Sequence, residues 1–320
     1  SLSEYTITYK GLENITGWSG KDETENPNPA SYNVKSEDIH LINPEKTGYK
    51  FTGWELDGKI ESGEHTPMDV VIETGSRGNL TFTATWKRDT SDFGVTGVKK
   101  VYDGQLEGVT PKGTLAKGEK WQYSLDGKKW QDDTYLFKDV TVTEENPEGK
   151  TVYVRIVDAS EQELWRGSAA VKISHRTVTI TPQDAMKAYG DEDPELKADV
   201  SGVLSGEEDK VTYTLSRKNG EAAGDYPITV KAEKIQGNYK VQTNEGTFTI
   251  YQGSRKEELS VTSYEGVYDG EYHDIEVKGI VDGDTVEYSY DNGQTWVSEL
   301  KSYKDVTSQG IAVRVTNKNY

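Results

Sequence analysis

This sequence of 320 residues contains no cysteine, two methionines and only five phenylalanines. Without thiols there is no disulfide to staple a small core and no thiolate to act as nucleophile or metal ligand. Long apolar runs are missing as well. No stretch approaches the roughly 18 residues that cross a bilayer as a helix, and no charged-then-apolar leader opens the chain. Basic charge is scarce: 37 Lys and Arg stand against 55 Asp and Glu, for a net charge of −18. Phosphate backbones and anionic membranes are recognised by clustered Lys and Arg, so neither nucleic acid nor a membrane surface is expected as a partner. The acidity reads as solubility and mutual repulsion between molecules, and a monomer is expected. Hydrophobic residues make up 33 % of the chain, and Tyr supplies 20 aromatic residues against 7 Trp. Few aliphatics and many tyrosines suit several small cores with large surfaces.

Patterns of helical period are scarce, and none extends over about 12 residues. Alternating runs rich in β-branched and aromatic residues are frequent, among them Tyr5–Tyr9, Leu80–Trp86, Thr151–Val157, Thr177–Thr181, Tyr226–Val230 and Gly246–Ile250. Each reads as a strand. Glycine, often beside Asp, Asn or Lys, punctuates them as turns. The fold class expected is all-β and multidomain.

One long phrase occurs twice. Val101-Tyr102-Asp103-Gly104 returns as Val267-Tyr268-Asp269-Gly270, and Tyr123-Ser124-Leu125-Asp126-Gly127 with Trp130 returns as Tyr288–Gly293 with Trp296. Phe137–Thr141 returns as Tyr303–Thr307, and Val154-Arg155-Ile156 as Val313-Arg314-Val315. Four anchors in one order mean a duplicated module. Arg155 and Arg314 are therefore expected at matching strand positions, as are Trp130 and Trp296.

These patterns divide the chain into four segments. Residues 1–88 carry Tyr5-x-Ile7-x-Tyr9, Gly48-Tyr49-x-Phe51-x-Gly53-Trp54 and Gly78-Asn79-Leu80-Thr81-Phe82-x-Ala84-x-Trp86. This segment resembles the internalin B-repeat (the Listeria–Bacteroides repeat), which implies a β-grasp module on a bacterial surface. Its outer strands, Tyr5–Tyr9 and Leu80–Trp86, are expected to pair at the centre of a small sheet. The polar insert Gly17–Asn28 departs from the pattern and is expected to be an exposed loop. Residues 95–174 and 260–320 hold the two copies of the phrase and resemble the YDG-type repeat of bacterial surface proteins, which implies small Ig-like sandwiches. Residues 176–251 carry Ala188-Tyr189-Gly190, Gly224-Asp225-Tyr226-Pro227-Ile228 and Gly237-Asn238-Tyr239. They resemble the MBG-type surface module, whose name suggests mucin binding.

The architecture expected is thus a β-grasp-like module followed by three Ig-like or β-sandwich modules in an elongated array. Short polar linkers near Lys87–Gly94, Ser174–Arg176 and Tyr251–Glu258 favour a semi-rigid rod, about 120 Å long at some 30 Å per module. The fourth module is expected to be C-terminally truncated. Copy one runs on past Arg155 to a strand at Ala169–Ile173, and copy two stops at Tyr320. That leaves an unpaired edge, and high mobility is expected near its end. Ser1-Leu2-Ser3 reads as the start of an excised fragment.

No constellation of catalytic residues stands above background. Ser289-x-Asp291-x-Gly293-x-Thr295-Trp296 matches the Asp-box of sialidase propellers, and Ser124-x-Asp126-Gly127-x-x-Trp130 is a shorter version. The two boxes lie much further apart than the roughly 40–50 residues of a propeller blade, so they read as hairpin turns in which Asp caps backbone amides. Asp191, Asp193 and Glu195, or Asp282 and Asp284, offer oxygen ligands for calcium but lack the twelve-residue loop spacing; they read as turn residues. His40, His65, His175 and His273 are scattered, with no triad or metal cluster. Trp130, Trp165 and Trp296 are candidate sugar-stacking platforms, with closure of small cores the plainer reading. Asn14-Ile15-Thr16 and Asn79-Leu80-Thr81 match glycosylation sequons, and a Cys-free sandwich admits a Lys–Asn isopeptide bond with no nameable pair. No cofactor, no metal and no catalytic residue are expected. The function expected is adhesion or spacing at a bacterial surface, cell-wall attached, with a host or matrix glycoprotein or glycan as partner. The alternative is an ancillary carbohydrate-binding region of a secreted glycoside hydrolase.

Overall fold

The computed structural model describes residues 2–60 and 66–320. It is all-β and multidomain, apart from one 3₁₀ turn at Glu208–Lys210. Two compact units divide at residues 174 and 175. Among the described residues no helix is long and apolar enough to cross a membrane.

In residues 1–88, β1 (Tyr5–Lys10), β3 (Ser31–Tyr32), β6 (Tyr49–Asp57) and β8 (Leu80–Arg88) form a sheet in the order β3-β1-β8-β6, with β2 (Gly17–Trp18) between β1 and β3 in the chain. β1 and β8 run parallel at its centre, Ile7 beside Leu80 and Tyr9 beside Phe82, as the alternation of the two outer strands predicts. β2 pairs with β5 (Pro44–Glu45), and β4 (Ile39–His40) with β7 (Val71–Ile72). Buried Trp18, Tyr32, Trp54, Ile72, Leu80 and Phe82 share one core. β6 shifts register between Phe51 and Gly53. Gly53 sits at φ +130° and a Cβ there would meet Pro67 at 2.5 Å, so only glycine fits this bulge.

The insert Gly17–Asn28 is exposed over residues 19–25, as expected of it, but both of its ends are buried. Trp18 is fully buried and Asn28 nearly so. The Asn28 amide donates to Ile42 O at 2.9 Å, and its carbonyl oxygen accepts from Ile42 N at 2.7 Å. Polarity of the surrounding residues hid one large apolar side chain that the core needs.

In residues 95–174, β9 (Gly94–Thr96) pairs with β11 (Thr110–Lys112), while β10 (Val98–Val101), β12 (Lys120–Ser124), β13 (Lys150–Val157) and β14 (Glu163–Ser174) form a second sheet ordered β10-β14-β13-β12. Val152, Val154, Ile156, Val171 and Ile173 are buried between the layers. The preceding stretch is a packed junction rather than a bare polar linker. Arg88 donates to Glu119 at 2.8 Å, to Gly48 O at 2.5 Å and to Thr114 O at 2.8 Å. Phe93 meets Trp121 and Trp165 edge-on or tilted.

Residues 176–251 form two four-stranded sheets. One is ordered β17-β15-β21-β20, from β15 (Arg176–Pro182), β17 (Ala198–Ser201), β20 (Ile235–Gln236) and β21 (Tyr239–Thr243). The other is ordered β16-β22-β19-β18, from β16 (Ala185–Ala188), β18 (Thr214–Arg217), β19 (Gly224–Lys231) and β22 (Gly246–Tyr251). Val178, Ile180, Ile228, Tyr239, Phe248 and Ile250 are buried. In residues 260–320, β23 (Ser260–Thr262) pairs with β24 (Glu276–Lys278), and β25 (Thr285–Ser289) with β26 (Ala312–Thr316), with a further bridge from Tyr288 to Val297. The chain end is held rather than loose. Asn319 is buried, its side-chain oxygen accepts from Ala223 N at 2.8 Å, and its carbonyl accepts from Gly253 N at 2.9 Å. Tyr320 packs edge-on against Tyr189.

Candidate functional site

The two Asp-box turns are built alike. Ser124 and Ser289 are the buried ends of β12 and β25. Ser124 Oγ donates to Asp126 at 2.9 Å and accepts from Gly127 N at 2.8 Å; Ser289 Oγ donates to Asp291 at 2.8 Å and accepts from Gly293 N at 2.7 Å. Asp126 then accepts from the amides of Lys128 and Lys129, each at 2.8 Å. Asp291 accepts from the Thr295 hydroxyl at 2.5 Å and the Thr295 amide at 2.8 Å. These donors favour the charged form. The amides of Lys129 and Lys128 hold Asp126 down to about 2, and the hydroxyl and amide of Thr295 do the same for Asp291. A carboxylate so held has no proton to give at neutral pH, and its oxygens are committed to its own turn.

Each box tryptophan lies under an arginine from the neighbouring strand. Arg155 sits 4.3 Å above Trp130, and Arg314 sits 4.4 Å above Trp296. Arg155 faces Gln122 across the β12–β13 ladder and bonds it at 2.7 Å; Arg314 faces Glu287 across β25–β26 and bonds it at 2.7 Å. The repeated residues therefore hold equivalent places, as the duplicated phrase predicts. A guanidinium on a ring face covers the surface a sugar would stack on. Trp165 joins Phe93 and Trp121, with Gly167 beneath it, where a Cβ would strike the indole at 2.5 Å.

The calcium candidates have basic partners. Asp193 binds Arg217 at 2.6 Å and Lys187 at 2.7 Å, and Glu221 binds both of those bases at 2.6 Å. Arg217, then Lys187, hold Asp193 down to about 2. The buried Lys187 is kept protonated by Asp193 and Glu221, and an ammonium is no nucleophile for an isopeptide bond. Asp284 is fully enclosed, bonded to Arg255 and to Val281 N, and Arg255 is the main reason its carboxyl lies near 2. Asp191, Glu195 and Asp282 do not join these sets. Among the described residues, no three His, Asp or Glu gather as a metal site. His40 lies in β4, while His273 stacks on Tyr264 at 3.8 Å and bonds Asp269 at 2.9 Å. His65 lies outside the described residues.

Sequence reasoning missed a cleft of about 530 Å³ in residues 260–320, lined by Val261, Tyr264, Tyr268, Ile275 and Ile311 among others. Tyr268 is 62 % exposed there, whereas its counterpart Tyr102 is 2 % exposed. The signal was present in the repeated phrase, whose apolar row is as strong in the second copy as in the first. Comparison with known proteins adds one assignment. No curated protein matches the chain, but residues 178–249 match the family model of the MBG domain (YGX type).

Proposed function

We propose that this chain is a non-catalytic part of a bacterial surface adhesin or stalk. In this reading the β modules space or present a binding face outside the cell, and the partner is a glycoprotein or glycan of a host or matrix. The match of residues 178–249 to the MBG domain (YGX type) carries the reading, since it supports a β-rich module of the surface-associated kind. The resemblances to the internalin B-repeat in 1–88 and to YDG-type repeats in 95–174 and 260–320 extend it to the other segments. The carboxylates singled out by motif support the non-catalytic part, because their oxygens are taken up by turn donors and by Arg and Lys partners. The arginines over Trp130 and Trp296 weigh against an ancillary carbohydrate-binding region built on those rings.

An array of glycans and mucin-type glycoproteins, probed with the 320-residue chain, tests the reading. Binding to a glycoprotein, unchanged by Trp130→Ala or Trp296→Ala, is the expected result. Binding to a free sugar that either substitution abolishes points to the glycosidase-associated reading instead. Turnover of fluorogenic sialosides or aryl glycosides is expected to match the buffer blank; turnover lost on Asp291→Ala would overturn the non-catalytic part.

A further inference from the structure

The dipeptide Asn-Gly occurs twice, as Asn219-Gly220 and as Asn292-Gly293. Because glycine has no Cβ, the nitrogen that follows such an asparagine is poorly shielded. Once it has lost its proton, that nitrogen can attack the carbonyl carbon of the Asn side chain. Both asparagines are exposed, so access of solvent does not distinguish them. Their surroundings do.

Asn292 lies in the second Asp-box turn, at φ +60°. The Gly293 amide donates to the buried Ser289 Oγ at 2.7 Å, and the Asp291 carboxylate accepts from the amides of Gln294 and Thr295 at 3.1 and 2.8 Å. The nitrogen that would attack is therefore committed, and the negative charge held in its turn opposes loss of its proton.

Asn219 lies in the loop between β18 and β19. Among the described residues the Gly220 amide has no acceptor. The charge that touches this backbone is positive. Arg217 donates to Lys218 O at 3.0 Å and to Gly220 O at 2.6 Å, one carbonyl on each side of Asn219, while it also binds Asp193 and Glu221. Gly220 sits at φ +149°, where a Cβ would strike the Tyr226 ring at 2.3 Å. No side chain that would shield the nitrogen fits there.

We propose that Asn219 is a site of spontaneous deamidation and that the Asp-box turn protects Asn292 from the same reaction. The Gly220 nitrogen gives its proton to water and bonds to the side-chain carbonyl carbon of Asn219. The bond from that carbon to the side-chain nitrogen breaks, and the nitrogen takes a proton from water and leaves as ammonia. Water then opens the cyclic imide at either carbonyl, giving aspartate or isoaspartate. The isoaspartyl link puts a methylene into the main chain between the two carbonyls that Arg217 holds, so the guanidinium can no longer reach both. Arg217 lies 4.7 Å over the buried Phe248 and shares Asp193 and Glu221 with Lys187, so the lengthened loop loosens this cover. The proposal does not depend on the adhesin reading.

Incubation of the 320-residue chain at mildly alkaline pH tests it, with peptide masses and isoaspartyl methyltransferase labelling followed over time. Asn219 is expected to lose its amide about tenfold faster than Asn292, roughly the factor for freeing one hydrogen-bonded nitrogen. In denaturant the two are expected to react at similar rates, because the dipeptide is the same. Asn219→Gln is expected to remove the early isoaspartyl label. Loss at Asn292 as fast as at Asn219 in the folded chain overturns the proposal. So does an intact Asn219 in a folded chain whose denatured form reacts, or a preference for Asn219 that persists unchanged in denaturant. The deamidated chain is expected to exchange amide hydrogens faster over Thr214–Arg217, and unchanged exchange there overturns the loosening of the Arg217 cover.

Discussion

Asp126 and Asp291 owe their chemistry to the few residues that follow them. Their turn amides and hydroxyls stabilise the carboxylate and depress it from the ordinary 3.8 to about 2. A depressed carboxyl stabilises the fold above its unfolded value, and that contribution is lost as pH falls through the folded one. Both turns are therefore expected to weaken between about pH 4 and pH 2, followed by the fluorescence of Trp130 and Trp296. Asp126→Asn with Asp291→Asn should flatten that transition, and titration of the native carboxyls near 4 by NMR would contradict it. This pattern was legible because every participant lies within about five residues. Trp18 was not legible, because the residues that bury it are distant in sequence. Trp18→Ala is expected to cost about 3–5 kcal/mol in denaturant unfolding, the range for losing a buried aromatic. A surface loop would lose almost nothing.

At the scale of elements, β8 ends in a residue that fastens two segments. Arg88 and Glu119 are 11 % and 6 % exposed at their side chains. Burial is the largest single influence on the Glu119 carboxyl and works against its charge, but the Arg88 hydrogen bond, the Ala116 amide and the Arg88 charge together outweigh it and hold the carboxyl below its usual range. Arg88 also satisfies the carbonyls of Gly48 and Thr114, a fork that an ammonium cannot reproduce. Arg88→Ala leaves an uncompensated buried acid and is expected to cost about 3 kcal/mol, with Arg88→Lys recovering less than half; full recovery in a denaturant melt would refute the role given to the fork. In β6, Gly53→Ala forces a side chain into a positive-φ bulge against Pro67. A loss of about 2 kcal/mol is expected from strain, measured by thermal unfolding. The strands themselves were readable from alternation. The stretch Lys87–Gly94 was readable only as a linker, because its partners Glu119, Trp121 and Trp165 come later in the chain.

Across the whole molecule, apolar burial is uneven. Residues 1–88, 95–174 and 176–251 each bury a set of large apolar side chains, whereas among the described residues of 260–320 none is fully buried. Protection against exchange follows buried contacts, so β25 and β26 are expected to exchange amide hydrogens faster than β12 and β13 despite their shared sequence. Equal protection in the two hairpins would show that the open cleft carries no cost. The all-β class, the central pair of outer strands in residues 1–88, and the equivalence of Arg155 over Trp130 with Arg314 over Trp296 were all determined by the amino-acid sequence. Alternation, turn residues and repeated spacing are local properties, readable within a few neighbours. The burial of Trp18, the Arg88 fastening, the four-charge cluster at Lys187 and the exposure of Tyr268 were decided only by the tertiary structure. Whether a side chain is covered depends on which distant strand lies over it, and within the identical words Val-Tyr-Asp-Gly the tyrosine is buried beside β14 in one place (Tyr102) and left open in the other (Tyr268).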